Sequence, residues 1–147
     1  MPHFSIQISP AGPLFDAYIS VSEARAAALL LAKQQLPLAR KIRALLDTGA
    51  SHTCLDPSII NDLQIPPTGT TSVLTPSTGA TPHTVNLYDV CINIPGSKPP
   101  PHILGTVAVA GCELLQSQGF HALIGRDILS QWTVYYNGPL KLITISY

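Results

Sequence analysis

The sequence predicts a single, mainly β domain, and three observations carry that reading. Short runs in which apolar and β-branched residues alternate with polar ones recur along the chain. Clusters of proline and glycine separate those runs. Only residues 22–35 have the composition of a sizeable helix, and 147 residues suffice for one core but not comfortably for two.

Phe4, Ile6 and Ile8 alternate with polar residues ahead of Pro10-Ala11-Gly12-Pro13, and a second extended run covers residues 14–21. A hairpin is the expectation for this pair. From Ser22, a potential cap, the chain turns to strong helix formers with Glu23 in the first turn, until Pro37 stops them. Residues 41–46 form a strand leading into Asp47-Thr48-Gly49, and residues 57–63 a short helix. Residues 66–83 are rich in Thr, Pro and Gly, which suits an exposed hairpin. Val85, Leu87 and residues 88–94 restore strand character, residues 95–101 make a stiff proline loop, and residues 103–110 form another strand. Residues 121–129 read as a strand, a glycine turn and one short helix, and Asn137-Gly138 as the turn of a last hairpin.

Composition narrows the function. Apolar residues make up 46% and charged residues 11%, so part of the surface is uncharged, as a buried subunit interface would make it. Eight acidic residues balance eight basic ones, and no basic cluster exceeds Arg40, Lys41 and Arg43, which argues against nucleic acid as a partner. Cys54, Cys91 and Cys112 are odd in number and have no Cys-x-x-Cys spacing, so they read as reduced thiols rather than a disulfide framework or zinc site. The longest apolar run, residues 26–32, falls far short of the roughly 20 residues of a membrane helix. The first residues have no signal-peptide pattern. No membrane association and a cytoplasmic location are the expectations.

Chemistry concentrates at Asp47. Of six aspartates, Asp47 alone is followed by Thr-Gly or Ser-Gly. Peptide hydrolysis without a metal or a covalent nucleophile needs one group to activate water and another to protonate the leaving amine. Two adjacent carboxyls do both, because they cannot ionise together and so share a proton. A chain with a single such loop needs a second copy of itself to complete the pair. Thr48 supplies a hydroxyl beside the acid, and Gly49 permits close backbone approach.

Ala44-Leu45-Leu46-Asp47-Thr48-Gly49-Ala50-Ser51 resembles the catalytic loop of the retropepsins, the retroviral-type aspartic peptidases and their cellular and bacterial relatives. Ala122-Leu123-Ile124-Gly125-Arg126-Asp127-Ile128-Leu129 resembles their second signature, and the likeness spans roughly residues 40–147. It implies the acid-protease fold: a closed antiparallel β-barrel with a flap hairpin, here with an N-terminal helix insertion and a short C-terminal helix. Residues 1–39 would then be a hairpin-and-helix extension and residues 40–147 the peptidase core of one domain. It further implies a homodimer in which Asp47 meets the partner subunit's Asp47 across a lytic water, acting on a peptide or protein substrate with no cofactor. Thr48 would grip the opposite loop, Ala50, Ser51 and His52 would follow the substrate backbone, and Ile124 would line an apolar pocket. Thr78 and Gly79 would form the flap tip.

The chain also departs from the viral pattern. Ser51 stands where viral enzymes carry an acid that pairs with the arginine corresponding to Arg126, and the flap is rich in Pro and Thr. A catalytically inactive peptide-binding or scaffolding module of the same fold is the alternative. Plainer roles suit several other residues: His52 as a substrate contact or solvated loop residue, Cys54 as small core, Trp132, Tyr135 and Tyr136 as core and interface, Arg126 and Asp127 as structural, and the 22–35 helix as a cover over a sheet edge.

Overall fold

The structure, a computed structural model, describes residues 2–74, 79–96 and 99–147. Among the described residues are ten strands and four short helices: β1 (His3–Gln7), β2 (Leu14–Val21), α1 (Glu23–Leu31), β3 (Arg40–Leu46), β4 (Cys54–Leu55), α2 (Pro57–Asp62), β5 (Gly69–Val73), β6 (His83–Ile94), β7 (His102–Gly111), α3 (Leu115–Gln118), β8 (Ala122–Ile124), α4 (Arg126–Leu129), β9 (Thr133–Asn137) and β10 (Leu142–Ser146). The order β2-β3-β8-β4-β7-β6, with β6 returning to β2, closes a six-stranded barrel, and β5 extends from β6 as one arm of a hairpin. A separate sheet has the order β1-β10-β9.

Alternation explains how each strand finds its inner face. Ile42, Ala44 and Leu46 of β3 point inward while Lys41 and Arg43 stay exposed, and Ala17, Ile19 and Val21 do the same on β2. With Ile92, Ile94, Val109, Leu55 and Ile124 they form the barrel core. Each valine, leucine or isoleucine among them contributes about 1.5–3 kcal/mol on burial.

The barrel is mostly antiparallel, but β3 runs parallel to β8 and β4 parallel to β7. That choice matters for the site: parallel neighbours emerge from the sheet at the same end, so the loops after β3 and β8 lie together.

Two expectations are corrected. β1 and β2 do not pair as a hairpin: β1 lies along β10 from His3↔Ser146 to Gln7↔Leu142, although a local turn does bond Ser9 to Gly12. Both edges of β2 are occupied, by β3 and β6, and Phe4 finds its apolar partners in Trp132, Phe15 and Tyr147. α1 stops at Leu31, well short of Gln35, because the chain reverses through Lys33 (φ 55°) before Pro37 is reached. α1, read as a cover over a sheet edge, packs against β7, where the Glu23 carboxylate occupies the space a Cβ on Gly105 would take, 2.3 Å from its Cδ. Trp132 is core, as read, while Tyr135 and Tyr136 are exposed on β9, at the edge of the terminal sheet.

Candidate active site

Asp47 follows β3 directly. The register Leu46↔Ile124 places it beside the end of β8, where its N–H donates to the Ile124 carbonyl at 3.0 Å. The loop then folds back on the acid: the Gly49 N–H donates to Asp47 Oδ1 at 2.8 Å and the Ala50 N–H to the Asp47 carbonyl at 3.4 Å. The Ala50 carbonyl in turn accepts the Arg126 N–H at 2.9 Å, tying the loop to α4. Asp47 is half-buried, with one carboxylate oxygen held, while Thr48 and Gly49 lie exposed on the protomer surface. Among the described residues the Thr48 hydroxyl has no hydrogen-bond partner.

Beneath the loop is a link that sequence reading missed. Thr53, only 1% exposed, donates its hydroxyl to Asp127 Oδ1 (2.8 Å) and its N–H to Asp127 Oδ2 (2.9 Å), and its hydroxyl accepts the Gly125 N–H at 3.1 Å. Asp127 Oδ1 also accepts the Ile128 N–H at 2.9 Å, so one carboxylate joins the start of α4 to the segment entering β4. Gly125 makes this closeness possible: a Cβ there would lie 2.6 Å from the carbonyl carbon of His52. The structural reading of Asp127 thus gains its partner. The Arg126 guanidinium lies outside both ion pairs among the described residues, Arg40–Asp62 and Lys41–Asp16.

Other candidates fall as follows. Ala50 is half-buried; Ser51 and His52 are exposed, with Ser51 Oγ 3.0 Å from His52 Nδ1. Ile124 does not line a pocket: its side chain is 1% exposed within the core, and it serves the site through its carbonyl. Strand alternation turns its neighbour Leu123 to the opposite face. There the half-buried Leu123 lies in register with half-buried Leu45 and Cys54, forming an apolar row that sequence reading missed. Cys54 is therefore not fully core. Donation to the Cys112 sulfur, and then burial, push its thiol well up, with the Asp127 and Asp47 charges adding to the effect; the same bond lowers Cys112.

The exposed Thr/Pro/Gly stretch is a hairpin, with β5 paired to β6 from Gly69↔Leu87 to Val73↔His83. Gly79 sits near its tip at φ 60° with open space around it; Thr78 lies outside the described residues. Asp56 is a further missed residue. Its carboxylate caps α2 through the Ser58 N–H (2.9 Å) and holds the N–H groups of Leu114 and Leu115 at 2.8 Å, while its own N–H donates to the His121 carbonyl (2.8 Å). Burial would push this acid up, but the bonds from Leu115, Ser58 and Leu114 outweigh it and hold the carboxyl at about 2. Asp56 before Pro57 is a cap signal readable from sequence; its second duty, toward residues 114–121, is not. Among the described residues, no three His, Cys, Asp or Glu side chains gather as a metal site.

Comparison with known proteins agrees with this geometry. A family model described as "Aspartyl protease" matches residues 39–114, just over half of the chain. A search of curated proteins returned no match. Among solved structures, a retropepsin-like aspartic protease from Rickettsia conorii aligns with a TM-score of 0.59 at 16% identity, over 99% of this chain and 90% of that one. At that identity the likeness is one of fold: mainly β with a closed barrel, the retropepsin-like architecture.

Proposed function

The chain belongs to the aspartyl protease family, and we propose that it hydrolyses peptide bonds with a water activated between the Asp47 carboxylates of two copies in a symmetric homodimer. The observation that carries this reading is the Asp47 loop. The carboxylate is held by the Gly49 N–H and the Asp47 backbone N–H is bonded to the Ile124 carbonyl, while Thr48 and Gly49 face outward, and the Thr48 hydroxyl has no protein partner among the described residues. A second copy related by a two-fold axis supplies both the missing acid and a partner for that hydroxyl. One ionised Asp47 then takes a proton from water as it attacks the peptide carbonyl, and the protonated one delivers its proton toward the leaving amine. The row Leu45, Leu123 and Cys54 offers an apolar surface for a substrate side chain, and the β5–β6 hairpin serves as the flap. The three unpaired cysteines favour a reducing compartment such as the cytoplasm.

The wild-type protein is expected to cleave a random peptide library and to sediment as a dimer. Asp47→Asn is nearly isosteric but cannot cycle a proton, so cleavage falls at least about 100-fold with fold and dimer intact. Wild-type rates in Asp47→Asn overturn the catalytic assignment. A species that stays monomeric at micromolar concentration, with activity independent of dilution, overturns the dimer.

A further inference from the structure

β7 carries an open strand edge beside the candidate cleft. One of its sides is paired with β6 along nearly its whole length. On the other side its neighbour is β4, which is two residues long and in register with Ala110 and Gly111 alone. The bonds at that junction fix the orientation: the Ala110 N–H donates to the Thr53 carbonyl at 2.9 Å and the Cys112 N–H to the Leu55 carbonyl at 3.1 Å. Alternate residues of a strand turn their N–H and C=O to the same side, so Ala108 presents its donor and acceptor to the open edge. Thr53, the next residue back along β4, cannot satisfy it, because its N–H is given to Asp127.

Beyond this edge lies a cleft of about 560 Å³, within the roughly 300–1,000 Å³ usual for ligand sites. Residues 103–108 of β7 form one wall, and Asp127, Ile128 and Gln131 at α4 form another. The lining also includes His52, which follows the Asp47 loop, and Thr71 and Leu87 of the β5–β6 hairpin, so the cleft lies beside the candidate site. Proteins usually blunt a free edge with lysine, proline or a covering element. Residues 103–108 contain neither lysine nor proline, and Ile103, Thr106 and Ala108 are exposed. Unpaired backbone donors and acceptors flanked by small apolar side chains match the chemistry of an extended polypeptide, which binds by adding a strand.

We infer that the substrate polypeptide runs out of the Asp47 cleft past His52 and adds as a strand along the free edge of β7, so that the enzyme selects long extended segments over short peptides. This rests on the peptidase reading of Asp47 and deepens it. The test uses random-sequence peptides of six, ten and fourteen residues, with wild type for cleavage and Asp47→Asn for binding. Ala108→Pro removes the edge N–H, which prolines at strand edges do without breaking the opposite ladder. Ala108→Thr keeps it, and the emission of the single tryptophan, Trp132, checks the fold.

In wild type, kcat/KM rises at least about tenfold from six to fourteen residues. The gain disappears in Ala108→Pro and survives in Ala108→Thr. In Asp47→Asn the Ala108 amide exchanges at least about tenfold more slowly with the fourteen-residue library than with the six-residue one. Unchanged Ala108 exchange with every library overturns the inference, as does a length gain that survives in folded Ala108→Pro. Cleavage without any length dependence rejects the edge and keeps the peptidase; protection of Ala108 without cleavage does the reverse.

Discussion

The Asp47 loop is held from several directions: by Ile124 of β8, by its own Gly49, by Arg126 of α4, and from below by the Thr53–Asp127 link. The β5–β6 hairpin, the proposed flap, leans on one ladder, with no buried residue among 69–73 or 83–87. Stability is thus unequally shared between the two walls of the proposed cleft. A carboxylate that must meet its twin at close range needs an over-determined backbone, whereas a wall that must admit a polypeptide needs cheap opening.

The sharpest way to break the rigid side is Gly125→Ala. The added methyl meets the backbone of His52 and Thr53 at 2.6–3.0 Å, and backbone atoms cannot swing aside as a side chain can. A destabilisation of about 3 kcal/mol, the upper end for overpacking, is expected in denaturant unfolding, with cleavage lost alongside. A Gly125→Ala protein of wild-type stability would show that the floor yields as readily as the flap.

Asp56→Asn probes the same side through the loop at residues 114–121. The folded carboxyl sits at about 2, below its ordinary 3.8, so its stabilisation is present above pH 4 and is lost as pH falls toward 2. That shift corresponds to about 2 kcal/mol. The variant should lose this amount at pH 7 and nothing near pH 2, where wild type has lost it as well. A gap between the two proteins that does not depend on pH would remove the charge from the explanation.

The smallest effect belongs to the proposed flap. Thr71→Ala on β5 should change global stability by less than about 0.5 kcal/mol. In the wild-type protein without peptide, amides of β5 and of residues 83–87 should exchange far faster than those of β3 and β8. Equal protection in the two regions would erase the contrast.

What the sequence determined by itself was local. Periodicity placed β3, β6 and β7, the Asp47-Thr48-Gly49 string marked the loop, Gly125 opened a short helix, and the Thr/Pro/Gly stretch before Val85 marked an exposed hairpin. These features arise from residues within a few positions of one another, where the period and the turn residues leave little choice. Tertiary structure alone decided the partner of β1, since the edges of β2 were taken by strands distant in sequence. It also decided that β3 and β8 run parallel, and that Asp127 reaches Thr53 across 74 positions. Alternation shows that Leu123 and Ile124 face opposite ways, but only the assembled barrel determines which of them faces the core. Strand pairing and burial depend on which surfaces meet, and residues far apart in the chain acquire that relation only when the barrel closes.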